Sequence, residues 1–316
     1  MSERQGWEPA YLPLHRSGEL KRRVEAAYDR LRSCTLCPRE CGVNRLESAK
    51  GAGCRTGVRA VVSSFNPHFG EEAPLVGRGG SGTIFFAHCN LRCDFCQNYD
   101  ISQLGHGREV EPEDLARMML WLQEMGCHNI NWVSPSHVVP QALAGLLIAA
   151  QAGLRLPIVY NTGGYDALST LQVLDGVVDI YMPDMKYADA EVAWKFSHVR
   201  DYPRHNQEAV REMHRQVGDL VMDERGVAQR GLLVRHLVLP GGLAGTAEVV
   251  RFLAGEISAN TYLNVMDQYR PCHRAHQLPP LDRRITRQEH QEAVQLALAA
   301  GLHRLDERQA RWIALF

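Results

Sequence analysis

Seven of the nine cysteines fall into two clusters, and their spacing is the strongest chemical signal in the chain. Cys89, Cys93 and Cys96 stand as C-x3-C-x2-C within the run FFAHCNLRCDFCQNYDIS, while Cys34, Cys37, Cys41 and Cys54 gather earlier. Three thiolates on one loop suit an iron-sulfur cluster: soft sulfur holds iron, and a cubane with three protein ligands leaves one iron open to a small molecule. An open position separates a working metal from a structural one. The alternative is a zinc site completed by His88 or a distant residue. The earlier set has the size for one closed site, read as structural zinc or an auxiliary Fe-S cluster, because four thiolates can fold a segment with little core of its own. Its spacing departs from the bacterial ferredoxin run C-x2-C-x2-C-x3-C. Cys127 and Cys272 stand apart, and core packing is expected for Cys127.

The elements that must position these residues follow from periodicity. Residues 17–32 place Leu20, Val24, Ala27 and Leu31 at helical spacing after a Pro-containing arm. From the first cysteine cluster to about Gly82 the chain is rich in Gly, Arg and Ser and reads as irregular. Beyond it, β-rich runs at 82–88, 129–134, 156–162, 177–183, 232–240 and 262–268 alternate with helical stretches around 112–125, 139–152, 166–175, 189–217, 246–257 and 286–300. Six βα units predict an α/β fold: a partial (β/α)6 TIM-like barrel, or a doubly wound sheet, with an N-terminal cysteine-rich segment. The expected division is 1–81 for the helix and four-cysteine segment, 82–302 for the barrel and 303–316 for a C-terminal tail. Sites in such sheets lie at the carboxyl ends of the strands, where this chain has CNLRCDFCQN, SPSH, NTGGYD, DMKY, GG and YRPCH.

Composition bounds the function. In 316 residues, 45% are hydrophobic, and 35 basic against 36 acidic side chains leave a net charge of -1. That excludes disordered, collagen-like and small disulfide-framework proteins and gives no general attraction to nucleic acid or an anionic membrane. With no long apolar run and no signal-peptide core in the first 30 residues, a cytoplasmic protein without membrane or nucleic-acid partners is expected. The Gly-rich run Gly77–Gly82 precedes a strand instead of joining strand to helix, so it is a poor phosphate loop.

The cysteine motif after the first strand, with GSGTIFF before it and CNLRCDFCQNYDIS around it, resembles the radical SAM enzymes. Within them it is similar to the pyruvate formate-lyase activating enzyme branch and its PflX-like group, over roughly residues 30–300. The resemblance implies a [4Fe-4S] cluster on Cys89, Cys93 and Cys96 and S-adenosylmethionine chelated to the open iron through its amino and carboxylate groups. Reductive cleavage would then give a 5'-deoxyadenosyl radical that abstracts hydrogen from a substrate. It also implies a reductant such as flavodoxin or ferredoxin, and a protein substrate in which a glycyl radical is made. Radical modification of a small molecule or peptide, and a non-catalytic metal-binding interaction protein, are the alternatives.

Other residues match the branch singly. Phe95 stands where an aromatic lies against adenine, Asn161-Thr-Gly-Gly-Tyr165 resembles the turn after its third strand, and Asp184-Met-Lys186 resembles its D-x-K motif. Asp184 and Lys186, two apart, point to one face of an extended segment and could meet the zwitterionic end of the cofactor, a cation, or each other in a surface ion pair. Of Arg235 and His236 only one can face inward. Two positions depart from the family: Val133-Ser-Pro-Ser-His137 replaces the usual Gly-Gly-Glu, leaving Ser134, Ser136 and His137 to supply hydrogen bonds to the cofactor, and His88 replaces a common glycine.

Overall fold

The computed structural model describes residues 7–306. Two short helices open it, α1 (Tyr11–Arg16) and α2 (Glu19–Asp29), so the Pro-containing arm is itself partly helical. The expected irregular stretch before Gly82 contains a strand, β1 (Ala60–His68), and one turn of helix, α3 (Ala73–Val76). Next come β2 (Ser81–Phe86), the cysteine loop, α4 (Tyr99–Ser102) and β3 (Arg108–Val110). Regular alternation follows: α5 (Pro112–Glu124), β4 (Ile130–Val133), α6 (Val139–Gln151), β5 (Ile158–Thr162), α7 (Leu168–Leu174) and β6 (Ile180–Pro183). The helical stretch expected at 189–217 is two helices, α8 (Ala190–Ser197) and α9 (Tyr202–Val217), broken where His198 takes a left-handed conformation and Pro203 starts a new first turn. After them come β7 (Val221–Met222), β8 (Ala228–Leu237), α10 (Thr246–Phe252), β9 (Tyr262–Met266) and α11 (Arg287–Ala299).

The six expected strands β2, β4, β5, β6, β8 and β9 pair in that order, all parallel. β1 pairs antiparallel with β2 and carries β3 on its far side, and β7 pairs antiparallel with β8. β1, from the segment expected to be separate, and β2 are thus hydrogen-bonded strands of one sheet. Of the expected tail, residues 307–316 lie outside the described residues. Leu305 bridges Leu263, and Asp306 takes hydrogen bonds from its neighbour strand through the Tyr262 hydroxyl.

Alternation along the strands sorts the side chains into two sets. Ile84, Phe86, Trp132, Ile158, Tyr160, Tyr181, Val234 and Val265 join the main core with α2, α5, α6, α9 and α11. The intervening residues face the interior of the partial barrel. At its amino-terminal end Leu75 of α3 is wholly buried among Val159, Ile180, Met182, Leu233 and Tyr262. The β1–β2 connection is thus a plug, anchored where the Asn129 side chain donates to the Leu75 carbonyl (2.9 Å). This is the use of the Gly-rich run: a Cβ on Gly79 would lie 2.0 Å from the Gly126 carbonyl oxygen. Gly79→Ala is therefore expected to destabilise the protein by about 1–3 kcal/mol through overpacking against backbone; a thermal melt should fall by several degrees, and an unchanged midpoint would show that the plug does not need this approach.

Candidate active site

Above the plug, the interior set lines a cavity of about 710 Å³. Cys89, Cys93 and Cys96 all reach it, from the loop that begins at the carboxyl end of β2. His88 enters that loop at φ +66, in the left-handed region, which accounts for glycine at this place in the family. Its backbone N–H donates to Ile101, closing the loop on α4. The Asn90 side chain donates to the Tyr165 carbonyl (2.6 Å), tying the loop to the turn after β5. Ser197, at the end of α8, donates to the Cys93 sulfur (2.9 Å), and the Leu91 N–H donates to the Cys89 sulfur (3.4 Å). Phe95 is buried beside Tyr187 and Tyr269 and also lines the cavity.

Burial pushes the Cys89 thiol up to about 12, with Cys93 and Cys96 adding to the rise. Cys93 rises to about 11 for the same first reason, held back by Lys186. The three sulfurs thus sense one another across one wall, and iron binding would displace their protons. Among the described residues no three His, Cys, Asp or Glu side chains are arranged to hold a single metal ion. A cubane does not require that arrangement, since each thiolate bonds a different iron, and the donor set fits a three-ligand cluster.

Facing the cysteines is a buried group of charges. Lys186 Nζ is 2.5 Å from Asp184 Oδ2, and Arg235 Nε donates to Asp184 Oδ1 at 2.8 Å. Arg235 also donates to Asn161 Oδ1 (2.7 Å). The ion pair is an interior one, not the surface pair that spacing alone allowed. Burial would raise the Asp184 carboxyl, but Arg235 and Lys186 outweigh it and hold the group below its usual range. Burial works against the Lys186 ammonium too, and Asp184 and Cys93 overcome it, so its affinity for a proton is raised. The backbone under these residues is clamped by α9. Tyr202 Oη donates to the Gly163 and Asp184 carbonyls (2.9 and 3.0 Å), and Asn206 donates to the Gly164 and Asp184 carbonyls (3.0 and 2.9 Å). Gly164, at φ +76, has no room for a Cβ: it would stand 2.2 Å from Asn206 and from the Asp184 carbonyl.

Phe95, Ser134, Asn161, Asp184 and Lys186 share this cavity; Ser136 and His137 do not line it. Ser134 turns toward it at φ +59. Ser136 instead pairs its hydroxyl with Thr162 (3.0 Å), and His137 Nε2 meets the Ala87 carbonyl (3.0 Å) behind the sheet. Burial, then the nearby Arg45, pushes His137 down to about 3, so it is a neutral structural donor. Arg235 is the inward member of its pair, whereas His236 is locked outside between the Met185 carbonyl and Thr246. The sequence reading passed over Glu71 and Glu72 of the plug, Thr162 and Asn264, all of which line the cavity. Asn264 was recoverable as the middle inward position of β9; the two glutamates lay in the stretch read as irregular.

The segment that carries the four earlier cysteines is joined to the cysteine loop of this site by hydrogen bonds. Cys34, Cys37 and Cys54 are buried, and burial, helped by the other three thiols, pushes Cys37 up to about 12. Arg45, 1% exposed, binds the module together: it donates to the Thr56 carbonyl (2.7 Å), the His137 carbonyl (2.8 Å) and the Cys34 sulfur (3.5 Å). Arg39 donates to the Asn90 carbonyl, and Arg92 of the cysteine loop returns a bond to the Gly53 carbonyl (3.1 Å). Cys127 lies in the main core, as its burial type suggested.

The chain is similar to several known proteins. An uncharacterised protein from Methanocaldococcus jannaschii is 32% identical over 283 residues, which cover 87% of this chain and 77% of that protein. Among solved structures, a radical SAM methyltransferase from Sphaerobacter thermophilus superposes with a TM-score of 0.48 at 15% identity, covering 70% of this chain and 64% of its own length. TYW1 with a lysine-pyruvate adduct bound gives 0.42 at 10% identity, covering 68% of this chain and 72% of that one. The model of the radical SAM superfamily matches residues 83–241. That stretch runs from β2 through the turn after β8 and carries both the three-cysteine loop and the buried charges opposite it, and the chain belongs to the radical SAM superfamily.

Proposed function

We propose that the protein takes a hydrogen atom from a small polar substrate enclosed in the barrel, using the radical that its superfamily makes. The observation that carries this reading is that the three cysteines and the Asp184, Lys186 and Arg235 group line one cavity. When bound on Cys89, Cys93 and Cys96, the [4Fe-4S] cluster with S-adenosylmethionine supplies the 5'-deoxyadenosyl radical. The chain's own residues bind and exclude. Ser134, Asn161, Asp184 and Lys186 offer donors and acceptors to the cofactor, and Phe95 a face for its adenine. The plug and the loop around Gln268, which accepts from Gln97 (3.1 Å), keep bulk water from the reacting atoms. The electron is assigned to a reductant of the flavodoxin or ferredoxin class.

A glycine in a polypeptide, the substrate class that the branch resemblance suggests, brings no charge to meet this wall. A small polar substrate matches it better. A binding module without catalysis would have no use for buried ions around a cavity, since such ions are costly to retain. The segment 1–81 is assigned to holding the cluster loop: its four thiolates, closed on zinc or on an auxiliary cluster, would steady the contacts of Arg39 and Gly53 with that loop, while Arg45 ties the set to the turn after β4.

Reconstituted anaerobically and reduced with dithionite, the protein is expected to form 5'-deoxyadenosine and Cys93→Ala to form none. A glycyl radical signal in a co-expressed partner would instead restore the activase reading. Arg45→Ala strands buried carbonyls and is expected to cost on the order of 3 kcal/mol. Metal analysis of this variant after a chelator challenge should show faster loss from the four-cysteine set, with iron at the other three cysteines retained; equal retention at the four-cysteine set would refute the role given to Arg45 in holding it.

A further inference from the structure

The lower end of the cavity carries an acidic group that the chemistry above does not use. Glu71 and Glu72 project from the plug, 8% and 4% exposed, and both line the cavity. Glu71 lies 3.8 Å from Arg235 Nη1, and Glu72 Oε1 accepts from the Asn264 side chain (2.8 Å). Glu72 Oε2 is buried with no hydrogen-bond partner. A buried carboxylate oxygen left unpaired is expensive, and this one belongs to a residue that lines the cavity, where a ligand can complete it.

Charge arithmetic points to the ligand's sign. Glu71, Glu72, Asp184 and Asp267 bring four carboxylates to the lining of this cavity against the two cations Lys186 and Arg235, so positive charge is wanting. A divalent metal ion is a poor occupant, because it would want more oxygen ligands than Glu71, Glu72 and Asn264 bring together here. The cofactor's own ammonium is a poor occupant too. Its amino-acid end belongs at the cysteine loop, beyond the carboxyl end of β2, whereas Glu72 is held by Asn264 at the middle of β9.

We propose that Glu72, supported by Glu71 and Asn264, is a subsite for an ammonium group of the substrate, so that the substrate class is a primary amine in its cationic form. This rests on reading the cavity as the reaction chamber. The amine would complete the Glu72 carboxylate from above and hold the opposite end of the substrate toward the cluster, which fixes the C–H bond that is attacked by the length of the molecule.

The test is binding to the anaerobic holoprotein with S-adenosylmethionine present, by titration calorimetry. The probes are n-butylammonium, standing for a free amine, and Nα-acetyl-lysine amide, standing for a lysyl side chain; Nα,Nε-diacetyl-lysine amide is the neutral control. Saturable binding of either ammonium probe is expected, weakened roughly tenfold or more by Glu72→Gln, with no binding of the control. Binding of n-butylammonium assigns a free amine, and binding of the lysine amide alone assigns a side chain of a polypeptide. Without any probe, Glu72→Gln should also melt higher than the native protein, because it removes an uncompensated charge while keeping the amide oxygen for Asn264. Lower melting of Glu72→Gln, equal binding by it, or no saturable binding of either ammonium would overturn the subsite. Formation of 5'-deoxyadenosine is read separately, so failure of the subsite and failure of the radical reading give different results.

Discussion

Keeping Asp184, Arg235 and Lys186 ionised inside the barrel is the constraint on which the rest of the site depends. Three charges taken out of water are tolerable only when each is paired with good geometry, and losing one partner strands the others. The pairing demands that β6 and β8 lie side by side, which the bridge between Asp184 and Arg235 records. It demands too that the backbone after β6 be held, and Tyr202 and Asn206 of α9 do so from below. The tight turn at Gly163 and Gly164 follows, because any Cβ at Gly164 would displace that clamp. The potential at the cysteine wall follows as well: Lys186 lies near enough to Cys89 and Cys93 to favour their thiolates against burial.

Much of this was legible in the sequence. The six parallel strands were marked by β-rich runs, and their ends by clusters of polar residues that an ordinary loop does not need. The three-cysteine spacing picked out a loop that lines the cavity, and the alternation of Asp184 and Lys186 gave their common face. Other features were not legible, for definite reasons. β1 sits in a stretch dominated by Gly, Arg and Ser, and its pairing with β2 is a tertiary choice that overrides composition. The SPSH segment suggested three cofactor donors, but the turn directs only Ser134 to the cavity and buries Ser136 and His137 against Thr162 and Ala87. No local pattern announces that a loop between two antiparallel strands will fold back inside a barrel, so Glu71 and Glu72 carried no signal.

The cysteine-rich segment and the barrel are coupled more closely than the sequence suggested. Arg45 spans the four-thiol set and the His137 carbonyl, Arg39 reaches the cysteine loop, and Arg92 reaches back. Each bond ends on a backbone carbonyl or a sulfur instead of a carboxylate, so the contact fixes shape without depending on a charge partner. A segment with little apolar core is thereby fastened to the three-cysteine loop.

The central claim is that the three cysteines and the charges opposite them form one chamber in which the cofactor meets an open iron. Electron paramagnetic resonance of the one-electron-reduced protein, recorded with and without saturating S-adenosylmethionine, tests it most directly. The account predicts a cluster signal that is lost with Cys93→Ala and whose g-values move when the cofactor is added to the native protein. A signal from the Cys89, Cys93 and Cys96 cluster that stays unchanged by the cofactor would contradict it.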